Sequence, residues 1–415
     1  MNDSPEAPPP PAAPSVRPSR AGRWLLIACC LTALAIALPG GHFGYIAWLR
    51  SGCRAALDSK NWDQLAAVSD RWLAWQPRRV DPLLYRAQAA AEKEDFELAV
   101  QLLERLPDVD QRTPEALMQC GAMYFGPLNR PLDGARVYRR TLSLNPTLVE
   151  AHRRLIYFYA YTLQRRELAR QIREAIEWDC DLPETYVYLF FLNSLSFGNA
   201  YDQNTEWLKG APDEELFLVA RPIYRTTSRG LLDSPDEQAV AGEKPGDLPY
   251  HEQILATYFQ KYPQNLELRC YYLRQASNDG DIERVKSLLS NPPEGADEDA
   301  RVWRYRGWLK EAEGQFEEAE KALRKSLEID PYDAPTQHQL AGVLRRLQRP
   351  QEVARWEQLS LAGKQLRKDL LSLPDVQRVP PSVLVRMANH IANCGQPEIA
   401  EKIVKRVEFI ERMSR

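Results

Sequence analysis

The stretch from Ala300 to Asp333 reads A-R-V-W-R-Y-R-G-W-L-K-E-A-E-G-Q-F-E-E-A-E-K-A-L-R-K-S-L-E-I-D-P-Y-D, and that order of residues leaves few folds open. It consists of two segments of helical period, separated by Glu313-Gly314-Gln315-Phe316 and closed by Asp330-Pro331. Gly307 on the first segment and Ala319 on the second are small where two antiparallel helices touch, and Trp303, Leu323 and Leu327 surround them. One such hairpin cannot cover its own apolar stripe, so it folds only if neighbours of the same kind stack against it.

The neighbours are present. Trp62, Leu65, Ser69, Trp72 and Pro77 take the second-helix and closing places of a unit at 46–79, and Leu83, Ala87, Phe96, Ala99, Leu103 and Leu106 hold those of 80–113. Leu117, Gly121, Tyr124, Tyr138 and Pro146 mark 114–147, with one extra residue in the turn near Arg130-Pro131, and His152, Leu155, Tyr159, Ile172 and Ala175 mark 149–182. The pattern loosens over 183–212 and 213–264. It then resumes at 266–298 (Tyr272, Gly280, Ile282, Val285, Leu289), 334–373 (Leu340, Ala341, Leu344, Val353) and 381–414 (Leu384, Ala388, Ile391, Gly395, Ala400, Val404, Val407).

In the 300–333 unit an aromatic is followed four residues on by Gly, then by Ala, a large apolar residue and a terminal Pro. That order, in Trp303, Gly307, Ala319, Leu323 and Pro331, resembles the tetratricopeptide repeat, with Lys310 in place of the usual Tyr. The resemblance implies an all-α chain, a helical solenoid in which helix pairs stack into a right-handed superhelix, with about ten pairs over residues 46–414. In that register Ala319→Leu costs about 1–3 kcal/mol by overpacking and Trp303→Ala about 3–5 kcal/mol by opening a cavity.

The ends and interruptions of the repeats set the domain plan. Residues 1–22 hold seven prolines with Ala and Ser and form a solvated, disordered tail. Trp24 to Leu49 contains no charged residue, and as continuous helix it spans about 39 Å against a hydrocarbon core of roughly 30 Å. Residues 23–49 therefore read as a transmembrane helix that stays in the mature chain, or alternatively as a cleaved signal with small residues at Ala33, Ala35 and Ala37. The anchor reading makes a single-pass membrane protein with its repeat body on the extracytoplasmic side. The repeats then occupy 50–230 and 250–415, and 231–249, rich in Pro and Gly without apolar periodicity, forms a projecting loop.

Charge and motifs exclude several functions. Net charge is −3, and because the first 54 residues carry +3 the remainder carries −6, the wrong sign for general nucleic-acid binding. The seven cysteines are scattered with no C-x-x-C, so neither a disulfide framework nor a four-Cys zinc site is encoded. The five histidines lie far apart, and no H-E-x-x-H, phosphate loop, dinucleotide fingerprint or nucleophile elbow occurs. No cofactor, metal or catalytic residue is expected.

By resemblance, first helices line a concave face that takes extended peptides or partner helices. The inner places near the C-terminal end are Arg301, Arg304, Trp308, Glu311, His338, Arg345 and Arg346, a candidate site for an acidic partner since Arg forks pair with carboxylates. Glu150, Arg153, Tyr157 and Tyr161 take those places nearer the middle. Some relatives grip a chaperone's acidic tail through Lys, Asn and Arg at fixed places. Here those places read Leu84, Gln88, Met118 and Arg153, so that clamp does not carry over. The expected role is a membrane-tethered, non-catalytic scaffold for protein partners. The alternative is an accessory or assembly factor of an envelope enzyme complex, similar to the anchored repeat proteins of cytochrome maturation.

Overall fold

A computed structural model describes residues 42–197, 199–228 and 250–413. The proline-rich tail, residues 23–41 of the expected span and the insertion at 231–249 lie outside the described residues. Among the described residues every regular element is helical. The chain divides into two compact units, one ending at Pro107 and one starting at Asp108.

The first unit contains α1 (42–58), α2 (Trp62–Trp75), α3 (Val80–Glu92) and α4 (Phe96–Glu104). The second opens with α5 (Thr113–Phe125), α6 (Pro131–Leu144), α7 (Val149–Tyr161), α8 (Arg165–Glu177), α9 (Pro183–Phe190), α10 (Ala200–Gly210) and α11 (Glu215–Ser228). It continues through α12 (Tyr250–Lys261), α13 (Leu266–Asn278), α14 (Ile282–Ser290), α15 (Ala300–Ala312) and α16 (Phe316–Ile329). It closes with α17 (Ala334–Arg346), α18 (Pro350–Leu371), α19 (Pro381–Asn393) and α20 (Pro397–Met413).

Among the described residues no helix is long and apolar enough to cross a membrane, which overturns the expectation of a single-pass membrane protein with its body on the far side. Where the expected span runs into described chain, at 42–49, it forms the first turns of α1. There Leu49, with Cys53 and Ala56 further along, is wholly buried against Leu65, Val68 and Trp72 of α2. Phe43, Tyr45 and Trp48 of the same helix remain exposed.

What sets the period is the turn inside each pair. Lys60, Glu94, Asn129, Leu163, Gly280, Gly314, Gln348 and Gly395 all have φ between +47° and +91°. From 60 to 94, 129 to 163, 280 to 314 and 314 to 348 the step is 34 residues, and 94 to 129 is one longer, where the sequence shows an extra turn residue. The next residue's N–H returns to the carbonyl five positions back, as in Asp95 to Ala90 (2.9 Å), Gln315 to Lys310 (2.8 Å) and Arg349 to Leu344 (3.0 Å). This left-handed exit satisfies carbonyls that the helix end would otherwise leave open. Gly314 is required by its φ of +76° and by nothing else, since a Cβ there meets no atom within 4 Å.

The opposite logic holds at the seam between paired helices. A Cβ on Gly307 would lie 2.6 Å from Leu323 Cγ, and one on Gly121 2.6 Å from the Tyr138 ring. Ala319, beside Leu323, has no exposed surface. Hydrogen bonds then tie each turn to the helix that follows. His152, Arg269, Trp303 and Gln337 stand at the same place in their helices, and each donates to the carbonyl six residues earlier: Pro146 (2.8 Å), Pro263 (2.9 Å), Asp297 (2.9 Å) and Pro331 (2.7 Å). This corrects the expectation for Trp303. Its indole is only partly buried, covered by the Arg306 guanidinium at 4.4 Å, and it braces a turn instead of filling the core. In second helices, Ser326 Oγ donates to Ala300 O (2.7 Å) and Ser360 Oγ to Ala334 O (2.8 Å), the same bond one repeat apart.

The second unit also makes contacts that tandem stacking alone does not dictate. α20 packs on α9, with Arg406 Nε 3.1 Å from Asp181 Oδ2 and Lys402 paired to Asp179. Arg367 of α18 lies 4.8 Å over the Phe191 ring and donates to Ser194 Oγ, and the His390 ring meets Phe190 edge-on at 5.7 Å. One hydrophobic cluster accordingly runs from Ala135 through Tyr186–Leu192 to Leu366, Met387 and Val407.

Candidate functional site

Where α7 and α9 diverge, a cavity of about 300 Å³ is lined by Arg153, Arg154, Ile156, Tyr157, Glu184, Thr185, Tyr188 and Gln377. α7 supplies four of these from successive turns, and α9 supplies three from its first two turns. Pro183 at the start of α9 fixes the backbone there, and Thr185 Oγ1 accepts the Leu182 N–H (3.0 Å), which satisfies one of the open donors of the helix start. Gln377 comes from the segment joining α18 to α19, so this wall exists because the C-terminal helices fold back onto α9.

The charges in this cavity are matched. Glu150 accepts from Arg154 Nε at 2.7 Å and lies 3.4 Å from Arg153, whose Nε faces Glu184 at 3.2 Å. Burial raises the Glu184 carboxyl above its ordinary range, with Asp375 and Glu150 adding to the rise against the opposing pull of Arg153. Tyr157 donates to Gln203 Oε1 (3.1 Å), and its ring lies 4.0 Å from that of Tyr161. Burial also keeps the Tyr157 and Tyr188 phenols protonated far above neutral pH.

Of the inner places named from the sequence, Arg153 and Tyr157 line the cavity. Tyr161 sits beneath it, 5% exposed and hydrogen-bonded to Asn199. Arg301 is buried, and Arg304 is half-buried. Arg301 bridges Glu267 and Asp299, and Arg165 of α8 reaches the same Glu267 at 3.1 Å. Burial opposes the charge on Arg301, but Asp299, Cys270 and Glu267 outweigh it and hold the guanidinium well above its usual value. Arg304 donates to Tyr305 OH (2.7 Å) and faces Asp333 at 3.6 Å.

The remaining five residues lie on α15 and α17. Glu311 accepts from Gln339 (3.0 Å), Trp308 packs partly into the core, and Arg345 pairs with Glu357. His338 and Arg346 are exposed. Sequence reasoning missed Arg154, Ile156, Glu184, Thr185, Tyr188 and Gln377. The aromatic run Tyr186–Phe191 was the one signal that α9 is buried on more than one side, and Gln377 gave no signal.

Buried acid also collects near α17. Asp330 is 3% exposed, and burial, together with the charge of Asp333, pushes its carboxyl up to about 8. Among the described residues no three His, Cys, Asp or Glu side chains are grouped so as to hold a metal ion.

Helix pairs with a left-handed turn every 34 residues and a small-residue seam define a helical-repeat protein. Residues 300–333 match the family model of the tetratricopeptide repeat, which supports a tetratricopeptide-repeat protein. No curated protein matches the chain. Among solved structures, similarity extends to the APC/C hetero-tetramer Cut9–Hcn1 (14% identity, 88% of this chain and 79% of that one, TM-score 0.32). It extends also to a tetratricopeptide repeat protein from Parabacteroides merdae (12% identity, 72% and 99%, TM-score 0.27). A third is the human IFIT1 dimer with m7Gppp-AAAA (13% identity, 83% and 72%, TM-score 0.29). Likeness at these scores carries no argument about function, and the helical-repeat reading rests on the turns and seams above.

Proposed function

We propose that the protein is a non-catalytic scaffold that binds protein partners, and that the cavity between α7 and α9 receives part of such a partner. The observation that carries this reading is the cavity itself: about 300 Å³ of formed space lined by Arg153 and Tyr157, two positions expected on the inner face of a helical repeat. Its ionisable groups are tied to one another, with Arg153 and Arg154 held by Glu184 and Glu150, so none is poised as a free acid or base. The net charge of −3 argues against a polyanion such as RNA as the ligand. Trp308, Glu311, His338 and Arg346 on α15 and α17 give a second contact region for a long partner, whereas Arg301 and Arg304 act as internal ion pairs.

The test is capture from cell extract by the immobilised chain, with Arg154→Glu and Gln377→Ala as variants. The expected result is a protein recovered by the parent chain and lost by at least tenfold with either variant, at unchanged helicity. Equal recovery by all three refutes the site, and recovery of small-molecule turnover in place of a bound protein refutes the class.

A further inference from the structure

Taking the α7–α9 cavity as a partner site, the groups it leaves unused define what it accepts. Tyr188 is 5% exposed and lines the cavity. Its ring meets Phe197 at 5.2 Å, but its phenolic O–H has no acceptor in the protein. That hydroxyl faces the cavity, so a group seated there can supply the acceptor that water otherwise provides. Thr185, 3% exposed, uses its oxygen to accept from Leu182 and still has its own proton to give. Arg154 engages Glu150 through Nε and leaves its terminal nitrogens over. For Gln377 only the backbone N–H is committed, to Asp375 at 2.9 Å.

Unused donors therefore call for an acceptor, yet charge does not. A carboxylate entering here would meet Glu184 and Glu150, with Asp375 close enough to raise Glu184 further. An ammonium or guanidinium would meet Arg153 and Arg154. Either newcomer brings a like charge against one member of the Arg153–Glu184 pair, 3.2 Å apart, whose Glu184 side chain is only 8% exposed. An uncharged group that brings both an acceptor and N–H donors disturbs neither. Its oxygen takes the Tyr188 and Thr185 hydroxyls, and its N–H groups reach the lone pairs Glu184 keeps beyond Arg153. The volume sits at the low end of ligand pockets, enough for one side chain with its stem against Ile156 and Tyr157.

We infer that the cavity receives the carboxamide of a glutamine or asparagine side chain carried by an extended segment of the partner. The inference rests on the scaffold reading only for the source of that side chain. Its probe is acetyl-glutamine methylamide on the full chain, followed by ligand-observed NMR beside the glutamate and lysine analogues. The glutamine compound binds at least fivefold more tightly than either charged analogue, and Tyr188→Phe, which removes one unpaired hydroxyl, weakens it by a similar factor. Should Tyr188→Phe fail to fold, Gln377→Ala serves the same comparison.

Equal or tighter binding of a charged analogue overturns the inference. So does indifference to both variants, or no glutamine signal at about 10 mM. If Arg154→Glu abolishes protein capture while the three analogues bind alike, the partner site stands and the carboxamide does not. If the analogues are discriminated but capture is unaffected, the carboxamide subsite stands and the scaffold site lies elsewhere.

Discussion

Gly307→Ala and Gly342→Ala are the same change in neighbouring first helices, α15 and α17, and the structure gives them opposite signs. In a helix interior Ala is favoured over Gly by about 1 kcal/mol. At Gly342 nothing opposes this, because the new Cβ meets only Glu311 Oε1 at 3.9 Å, an ordinary contact. At Gly307 the Cβ would stand 2.6 and 2.7 Å from two carbons of Leu323 and 3.3 Å from the Ala319 carbonyl. Leu323 is wholly buried and cannot swing away, so α15 and α16 must separate by close to 1 Å. Overpacking of this kind costs about 1–3 kcal/mol, and the helical gain offsets only part of it. The net expectation is a loss of up to about 2 kcal/mol for Gly307→Ala and a gain of about 0.5–1 kcal/mol for Gly342→Ala. Urea unfolding followed by helical circular dichroism reads both, and Gly307→Ala made in a Leu323→Ala background should lose most of its penalty, since the clashing carbons are gone. If Gly307→Ala raises the midpoint as Gly342→Ala does, the seam between α15 and α16 is not where we place it.

The remaining predictions address turns, charges and pH. Gln348→Gly relieves a φ of +58° on an exposed residue and should stabilise by about 0.5–1 kcal/mol, whereas Gly314→Ala should cost about 1 kcal/mol, both read from urea midpoints. Arg301→Ala strips the buried cation from between the largely shielded carboxylates of Glu267 and Asp299 and should cost about 3–5 kcal/mol, a loss that salt does not mimic. Asp330 has a folded value of about 8, above its unfolded one. Its contribution to stability is therefore complete below about pH 4 and is lost as pH rises through about 8. Asp330→Asn should flatten that part of the stability–pH curve and leave the variant the more stable of the two at high pH. A slope unchanged by the substitution contradicts the buried acid.

The repeat could be read from the sequence because it is local. Gly307 and Ala319, the glycines at 280, 314 and 395, and the extra residue before Pro131 report on helices that are neighbours in the chain, and hydrophobic period and turn chemistry encode such neighbours directly. Lys60, Glu94, Leu163 and Gln348 do the same turn's work without glycine, so the turns at those places carry no letter of their own. Trp303 shows a second limit. Its place in the pattern was right, but an indole can serve by its area or by its N–H, and only the position of the Asp297 carbonyl decides.

The site was less legible than the fold for a related reason. Arg301 and Arg304 were expected on an inner face open to a partner, but a carboxylate from α13 and another from the start of α17 claim them, and the α8 to α13 contact joins residues 102 apart. Gln377 and the clasp of Arg406 on Asp181 are further still, 225 residues for the latter, and no local period specifies such a meeting. The membrane expectation went wrong where it could be followed. Of residues 43–49, α2 covers Leu49, whereas Phe43, Tyr45 and Trp48 are exposed.

The claim that a partner enters between α7 and α9 is tested most directly by a photo-crosslinking residue placed at Arg154, with one at the fully open Val109 as reference. Irradiation in cells followed by mass spectrometry should give a protein adduct from position 154 whose linked peptide lies within a few residues of a glutamine or asparagine, and none from 109. Adducts confined to probes at His338 or Arg346, with position 154 silent, would contradict it.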